Sequence, residues 1–278
     1  AGVVWRTQAA GAPWPAESFV PVVAAGYRHT VAVDSAGKLH AWGGEHAWGG
    51  GRYTVVEKIP KLGAGVVWRT VAAGACFTVA VDSAGKLHAW GGEHAWGGGR
   101  YTVVEKIPKL GAGVVWRTQA AGAPWPAESF VPVVAAGYRH TVAVDSAGKL
   151  HAWGNDKYSQ VSKIAELGEG VVWRTVAAGA GHTMAVDSAG KLHAWGDNRR
   201  GQVSRIPELG AGVVWSTVAA GGYFHTVAVD SAGKLHAWGD NGYGQVSKIP
   251  RLGAGVVWRT VAAGYYHTVA VDSAGKLH

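Results

Sequence analysis

The 278-residue chain is 48% hydrophobic and 16% charged, carries a formal net charge of +8 at pH 7 and has one cysteine, Cys76. That apolar share fills a packed core and excludes a disordered chain, while a single thiol excludes an internal disulfide framework and any multi-cysteine zinc or iron–sulfur site. No apolar run reaches the roughly 18–20 residues of a membrane helix, and the start at Ala1, with no Met and no basic-plus-apolar leader, fits a chain whose signal peptide has been removed, so an extracellular setting is expected.

The most unusual count is 15 Trp against 4 Phe, which points to repetition. Asp-Ser-Ala-Gly-Lys-Leu-His begins at Asp34, Asp82, Asp145, Asp187, Asp230 and Asp272, at intervals of 48, 63, 42, 43 and 42. The period is therefore about 42 residues, in one domain spanning 1–278, with insertions near 10–24, 44–56, 92–104 and 121–135. Some copies are identical: residues 1–43 recur as 112–154, and 30–70 as 78–118.

The unit at 212–252 sets the order of elements. Val214–Ala219 is a β-branched and aromatic strand. His225–Val229 alternates large and small residues with the two-residue period of a strand. Asp230-Ser-Ala-Gly233 is a turn, with the carboxylate bonding the backbone ahead and Gly supplying positive φ. Lys234–Trp238 returns, and Gln245–Ile249 predicts a short fourth strand ended by Pro250. Three to four antiparallel strands, six times over, predict an all-β fold, a β-propeller of six blades with seven as the alternative.

Between the first and second strands the units read Tyr27-Arg28, Ala75-Cys76, Tyr138-Arg139, Ala180-Gly181, Gly222-Tyr223-Phe224 and Tyr265-Tyr266. After the third strand, units one and two carry Glu45-His46-Ala-Trp48 with Arg52, and Glu93-His94-Ala-Trp96 with Arg100. Units three to five carry loops with Tyr158, with Arg199 and Arg200, and with Tyr243. Prolines bracket Trp14 and Trp125 in the inserts. Unit six stops at His278 without an Ala-Trp-Gly, which predicts a last blade one outer strand short with an exposed edge open to a partner or another protomer.

His267-Thr-Val-Ala-Val-Asp-Ser-Ala-Gly-Lys-Leu and Ala237-Trp-Gly-Asp-Asn-Gly-Tyr-Gly-Gln245 resemble the repeats of the regulator of chromosome condensation family, with their Gly-x-x-His-Thr strand start and Trp-Gly-x-Asn-x-x-Gly-Gln turn. The Val-Ser-Lys-Ile-Pro linker is similar in style to the propeller-type β-lactamase inhibitor proteins. Lectin propellers are a more distant likeness, through Trp215-Ser-Thr-Val218. The resemblance implies the propeller fold and leaves function open, because that fold hosts exchange factors, inhibitors and chromatin binders.

No nucleophile-elbow, zinc-protease or phosphate-loop pattern occurs, so no enzyme, no cofactor and no metal site are expected. His29, His140, His182, His225 and His267 start second strands where unit two has Phe77, so they read as packing positions bonded to a neighbouring blade's backbone. Eleven Trp, at the Trp5 and Trp42 positions of the repeat, are expected between blades. The candidate ligand-binding residues are Trp14, Tyr27, Arg28, His46, Trp48, Arg52, His94, Trp96, Arg100, Trp125, Tyr138, Arg139, Tyr158, Arg199, Arg200, Tyr223, Tyr243, Tyr265 and Tyr266, the types that adaptable recognition surfaces use. Exposure alone also lets turn tips vary. Three readings follow: a non-enzymatic propeller binding a protein partner through one face, a multivalent lectin using repeated Trp/His loops, and an engineered or recently duplicated scaffold without a ligand. Nucleic acid is allowed by the basic charge but not favoured, since Lys and Arg form no run.

Overall fold

The structure is a computed structural model, and it describes residues 22–27, 29–34, 36–43, 59–91, 107–116, 133–222 and 224–278. Six separate antiparallel sheets follow one another along the chain. Blade one is β1 (Val22–Ala25), β2 (His29–Val33) and β3 (Leu39–Gly43). Blade two is β4 (Trp68–Ala73), β5 (Phe77–Asp82) and β6 (Leu87–Gly91), and blade three is β7 (Val134–Ala136), β8 (His140–Val144) and β9 (Leu150–Gly154). Blade four is β10 (Trp173–Ala178), β11 (His182–Asp187) and β12 (Leu192–Gly196); blade five is β13 (Trp215–Ala220), β14 (His225–Asp230) and β15 (Leu235–Gly239). Blade six is β16 (Trp258–Ala263) and β17 (Thr268–Asp272), with one further bridge from Val271 to Leu277. The expected all-β propeller is what forms. The expected fourth strand is not: 245–247 make a turn, so the described blades have at most three strands.

The β2–β3 hairpin and its equivalents show why the turn sequence does not vary. Asp34 Oδ1 accepts from the N–H groups of Ala36 and Lys38, both at 2.9 Å. Gly37 then takes φ 75°, a region side chains resist. A Cβ there would also lie 2.6 Å from Val67 of the next blade. The same glycine's carbonyl accepts from Trp68 N–H at 2.9 Å, so the turn of one blade fixes the first strand of the next.

The free carboxylate oxygen has a second use that the sequence reading did not foresee. Asp34 Oδ2 lies 2.8 Å from His40 Nε2, and all six hairpins repeat the pair at 2.7–2.9 Å. The imidazole meets the first-strand Trp edge-on, for example Trp173 and His193 with centroids 4.9 Å apart. Although burial opposes the charge, the histidine and backbone bonds hold the Asp187 carboxyl below its usual range.

The core lies between blades. Val142, Val144 and Leu150 of blade three pack with Trp173, Val176, Ala185 and Trp195 of blade four. Two indoles meet at each such wedge, as Trp173 and Trp195 do at 6.1 Å. The wedge between blades five and six contains Trp258 and no second indole among its described residues. Of the described repeat tryptophans, Trp42 departs from the expectation of burial, being 48% exposed. Its equivalents Trp90, Trp153, Trp195 and Trp238 are buried against the preceding blade, whereas Trp42 joins none of the core clusters formed by the described residues.

Second-strand histidines bind blade to blade. The His182 ring lies over Gly179, where a Cβ would sit 2.2 Å from its Cε1; this is why the first strand ends in Ala-Ala-Gly. Its Nε2 lies 3.3 Å from Thr226 Oγ1 of blade five, and His140 Nε2 lies 3.0 Å from Thr183. The partner is thus a threonine side chain rather than the backbone expected. Burial lowers the pKa of His29 and His140 to about 4, and of His182 to about 3, so each is neutral when folded.

Candidate recognition face

The first-to-second-strand loop and the loop after the third strand lie at the same end of each blade, because antiparallel neighbours reverse direction. The hairpin turns, with Lys38 and its equivalents, lie at the opposite end. The described variable loops therefore open on one face.

Five tyrosine rings form a row across this face. Tyr138 of blade three meets Tyr27 of blade one at 6.2 Å, and Tyr27 meets Tyr265 of blade six at 5.1 Å. Tyr265 meets Tyr266 at 4.6 Å, and Tyr266 meets Tyr243 of blade five at 4.4 Å. Interplanar angles of 53–80° are the tilted and edge-on arrangements that aromatic quadrupoles favour. Tyr27, Tyr243 and Tyr266 remain 48%, 60% and 42% exposed. The Arg139 guanidinium stands 5.4 Å from the Tyr138 ring centre.

A second cluster is centred on Arg199. Asp197 accepts from its Nε and Nη2, the latter at 2.6 Å, and these bonds keep the guanidinium charged. So braced, Arg199 lies 4.8 Å from the ring centre of Tyr158 in blade three and 5.2 Å from that of Phe224 in blade five. Lys157 stands 5.4 Å from the same Tyr158 ring. Arg200 reaches Asp240 of blade five at 3.2 Å. Cation–π contacts at exposed sites are worth about 0.5–1 kcal/mol each, so these hold a shape rather than the fold.

The copies with small loops serve those with large ones. A Cβ on Gly181 would sit 2.8 Å from the Tyr158 ring, and one on Gly222 would sit 2.6 Å from Tyr265. Ala180-Gly181 and Gly222 are where neighbouring tyrosines lie down. The extra residue of the unit-five loop is accommodated by Phe224 at φ 55°, an uncommon conformation for a bulky residue.

Of the nineteen candidates, Tyr27, Tyr138, Arg139, Tyr158, Arg199, Arg200, Tyr243, Tyr265 and Tyr266 fall within these two clusters. Trp14, Arg28, His46, Trp48, Arg52, His94, Trp96, Arg100, Trp125 and Tyr223 lie outside the described residues. Sequence reasoning did not select Lys157, Asp197, Phe224 or Asp240. The bracing carboxylates carry no signal beyond the Asp-Asn of a turn. Among the described residues no three His, Cys, Asp or Glu side chains come together as metal ligands, and no helix is long and apolar enough to cross a membrane.

Comparison with known proteins fits this architecture. The regulator of chromosome condensation (RCC1) repeat profile matches residues 22–53, 133–160, 173–202 and 215–245. Comparison with curated protein sequences gives no match. Among solved structures, Prp20p from Saccharomyces cerevisiae, described with its binding to Gsp1p and histones, is 21% identical with a TM-score of 0.66, over 89% of this chain and 67% of that one. Yeast RCC1 (Prp20) bound to Kap60 is 22% identical with a TM-score of 0.60, over 90% and 67%. Human WBSCR16 is 17% identical with a TM-score of 0.63, over 92% and 75%. Repeat sequence, blade architecture and structural likeness agree: these four stretches carry repeats of the regulator of chromosome condensation type, and the fold is that of a repeat β-propeller like theirs.

Proposed function

We propose that this chain is a non-enzymatic recognition propeller whose Tyr/Arg face binds a protein partner with an acidic or mixed surface. The observation that carries the reading is the row of five tyrosine rings, drawn from four blades, with three rings part-exposed. Tyr and Arg dominate interface energetics because they combine large apolar area with a polar tip. Rings already packed on one another lose little entropy on binding. The +8 formal charge favours acidic partners. That Prp20p is described with Gsp1p and histones, and again bound to Kap60, supports a protein as the ligand class. A lectin instead needs one pocket repeated around the ring; the two described clusters differ in composition, which favours a protein.

The test sets surface-immobilised Gsp1p, a histone and Kap60 beside a glycan array. The Tyr27→Ala/Tyr266→Ala double variant is expected to lose at least tenfold affinity for whichever protein binds. Saturable binding of a simple sugar, with no protein bound, would replace this reading with the lectin one.

A further inference from the structure

The end of the molecule opposite the tyrosine row is built from two kinds of tight turn. One is the Asp-Ser-Ala-Gly-Lys hairpin of each blade. The other is the connection into the next blade, which is bonded to a hairpin on either side. Trp68 N–H donates to the Gly37 carbonyl of blade one at 2.9 Å, and Ser83 N–H of blade two donates to the Val67 carbonyl at 2.7 Å. Between blades two and three, Trp116 with Gly85 and Ser146 with Val115 repeat these bonds at 2.9 and 2.8 Å. Hairpin tips and connections are thereby tied into one surface.

Backbone and neighbours hardly change from copy to copy on this surface; charge does. Two residues before the connecting turn, the five described connections carry Lys61, Lys109, Glu166, Glu208 and Arg251, all exposed, and the connection into blade four adds the exposed Glu169. Blades one to three therefore gather Lys38, Lys61, Lys86, Lys109 and Lys149 at this end, together with Arg69 at the bulge that opens β4, and all six are exposed. The described acids among them are Asp34, Asp82 and Asp145, each buried and paired with His40, His88 and His151. Between the cations stand small or aliphatic side chains: Ala36, Ala84 and Ala147 at the hairpin tips, and Val115 at 44% exposure. Proteins that read a duplex insert an element into a groove, and single-strand binders offer aromatic platforms. These tips are short turns, and their exposed described side chains include no aromatic ring. A broad array of cations over small apolar tips instead matches an array of anionic headgroups, which attracts Lys and Arg lying within a Debye length.

We propose that the hairpin end of blades one to three docks on the surface of an anionic lipid bilayer. The six cations supply the attraction, and Val115 with the alanine tips rests at the interface. Glu166, Glu169 and Glu208 offset the cations of the remaining blades, so the face meets the bilayer through one side. Docked in this way, the chain turns its tyrosine row away from the lipid.

The test is co-sedimentation of the 278-residue chain with three-to-one phosphatidylcholine–phosphatidylserine vesicles, beside phosphatidylcholine vesicles and a labelled DNA duplex. The expected result is sedimentation with the anionic vesicles only, weakening as salt is added. Lys61→Glu/Lys109→Glu is expected to lower vesicle affinity at least tenfold. The repeat already carries Glu at this position in Glu166 and Glu208, so the exchange keeps the fold. Glu166→Lys/Glu208→Lys is expected to raise the affinity. Tyr27→Ala/Tyr266→Ala is expected to leave it unchanged, which separates this surface from the protein-binding face. Equal sedimentation with both kinds of vesicle, none with the anionic kind, or full binding by the Lys61→Glu/Lys109→Glu chain overturns the proposal. Capture of the duplex with the anionic vesicles left unbound would assign the face to a polynucleotide and overturn it as well.

Discussion

The hydroxyl of Thr141 shows what one substitution among near-identical copies does. Blades three and four each present a second-strand histidine to the next blade's threonine, and blade two presents Phe77. Phe77 fills the same place over Gly74 but carries no nitrogen, and Thr141 Oγ1 is buried without a hydrogen-bond partner among the described residues. A buried orphan hydroxyl costs about 1–3 kcal/mol, whereas an apolar group of the same shape costs nothing comparable. Thr141→Val is therefore expected to stabilise the protein by about 1 kcal/mol. Thr183→Val, which strands His140 Nε2, is expected to destabilise it by about 1–3 kcal/mol. Urea unfolding of the two variants checks the opposite signs. The sequence already marked this position as packing rather than catalysis, since Phe replaces His there. It did not name the partner, because a threonine 43 residues away becomes a neighbour only when blades close on each other.

At the level of elements, the hairpin was legible and its load was not. Asp for the turn and Gly for positive φ follow from local chemistry, and both are found. The six Asp–His pairs, each stacked against its blade's first tryptophan where that residue is described, depend on which face the return strand presents. The tryptophans divide in the same way. Trp238→Ala removes an indole from a closed wedge and is expected to cost about 3–5 kcal/mol. Trp42→Ala, in the same motif but at an indole 48% exposed, is expected to cost less than about 1 kcal/mol, as surface changes do. Denaturant midpoints of the two variants give the comparison. If both lose stability equally, the wedge is not what places Trp238. The expected fourth strand failed for a local reason. The Gln245 side chain turns back to Tyr243 N–H, and Asn241 Oδ1 takes the N–H groups of Val246 and Ser247, so the segment's donors are satisfied within a turn.

For the whole molecule, neutral histidines between blades set a pH dependence. Folded values of about 4 for His29 and His140, and about 3 for His182, lie below the ordinary 6.5, chiefly through burial. Between pH 6.5 and about 4 the unfolded chain takes up protons that the folded chain refuses, so stability falls as pH falls. Each such imidazole contributes roughly 1.4 kcal/mol per pH unit. The carboxyls of Asp34, Asp145, Asp187, Asp230 and Asp272 are held below 3.8, so their contribution is present above 3.8 and lost only at lower pH. Urea midpoints are expected to drop steadily from pH 7 to 4.5, with a shallower slope for His182→Phe, the exchange blade two already carries. A flat profile over that range would mean that these rings are solvated.

The sequence by itself determined the period, the all-β class, the hairpin turns and the set of loops that vary, because turns, alternation and repetition are local or additive and survive without a neighbour. The tertiary structure alone decided which tyrosines form a row, that Gly181 and Gly222 make room for rings from other blades, and that Trp42 is exposed while Trp238 is buried. Each of these depends on what the adjacent blade places opposite an otherwise identical residue. In a chain of near-copies, that is the one thing a repeat cannot state about itself.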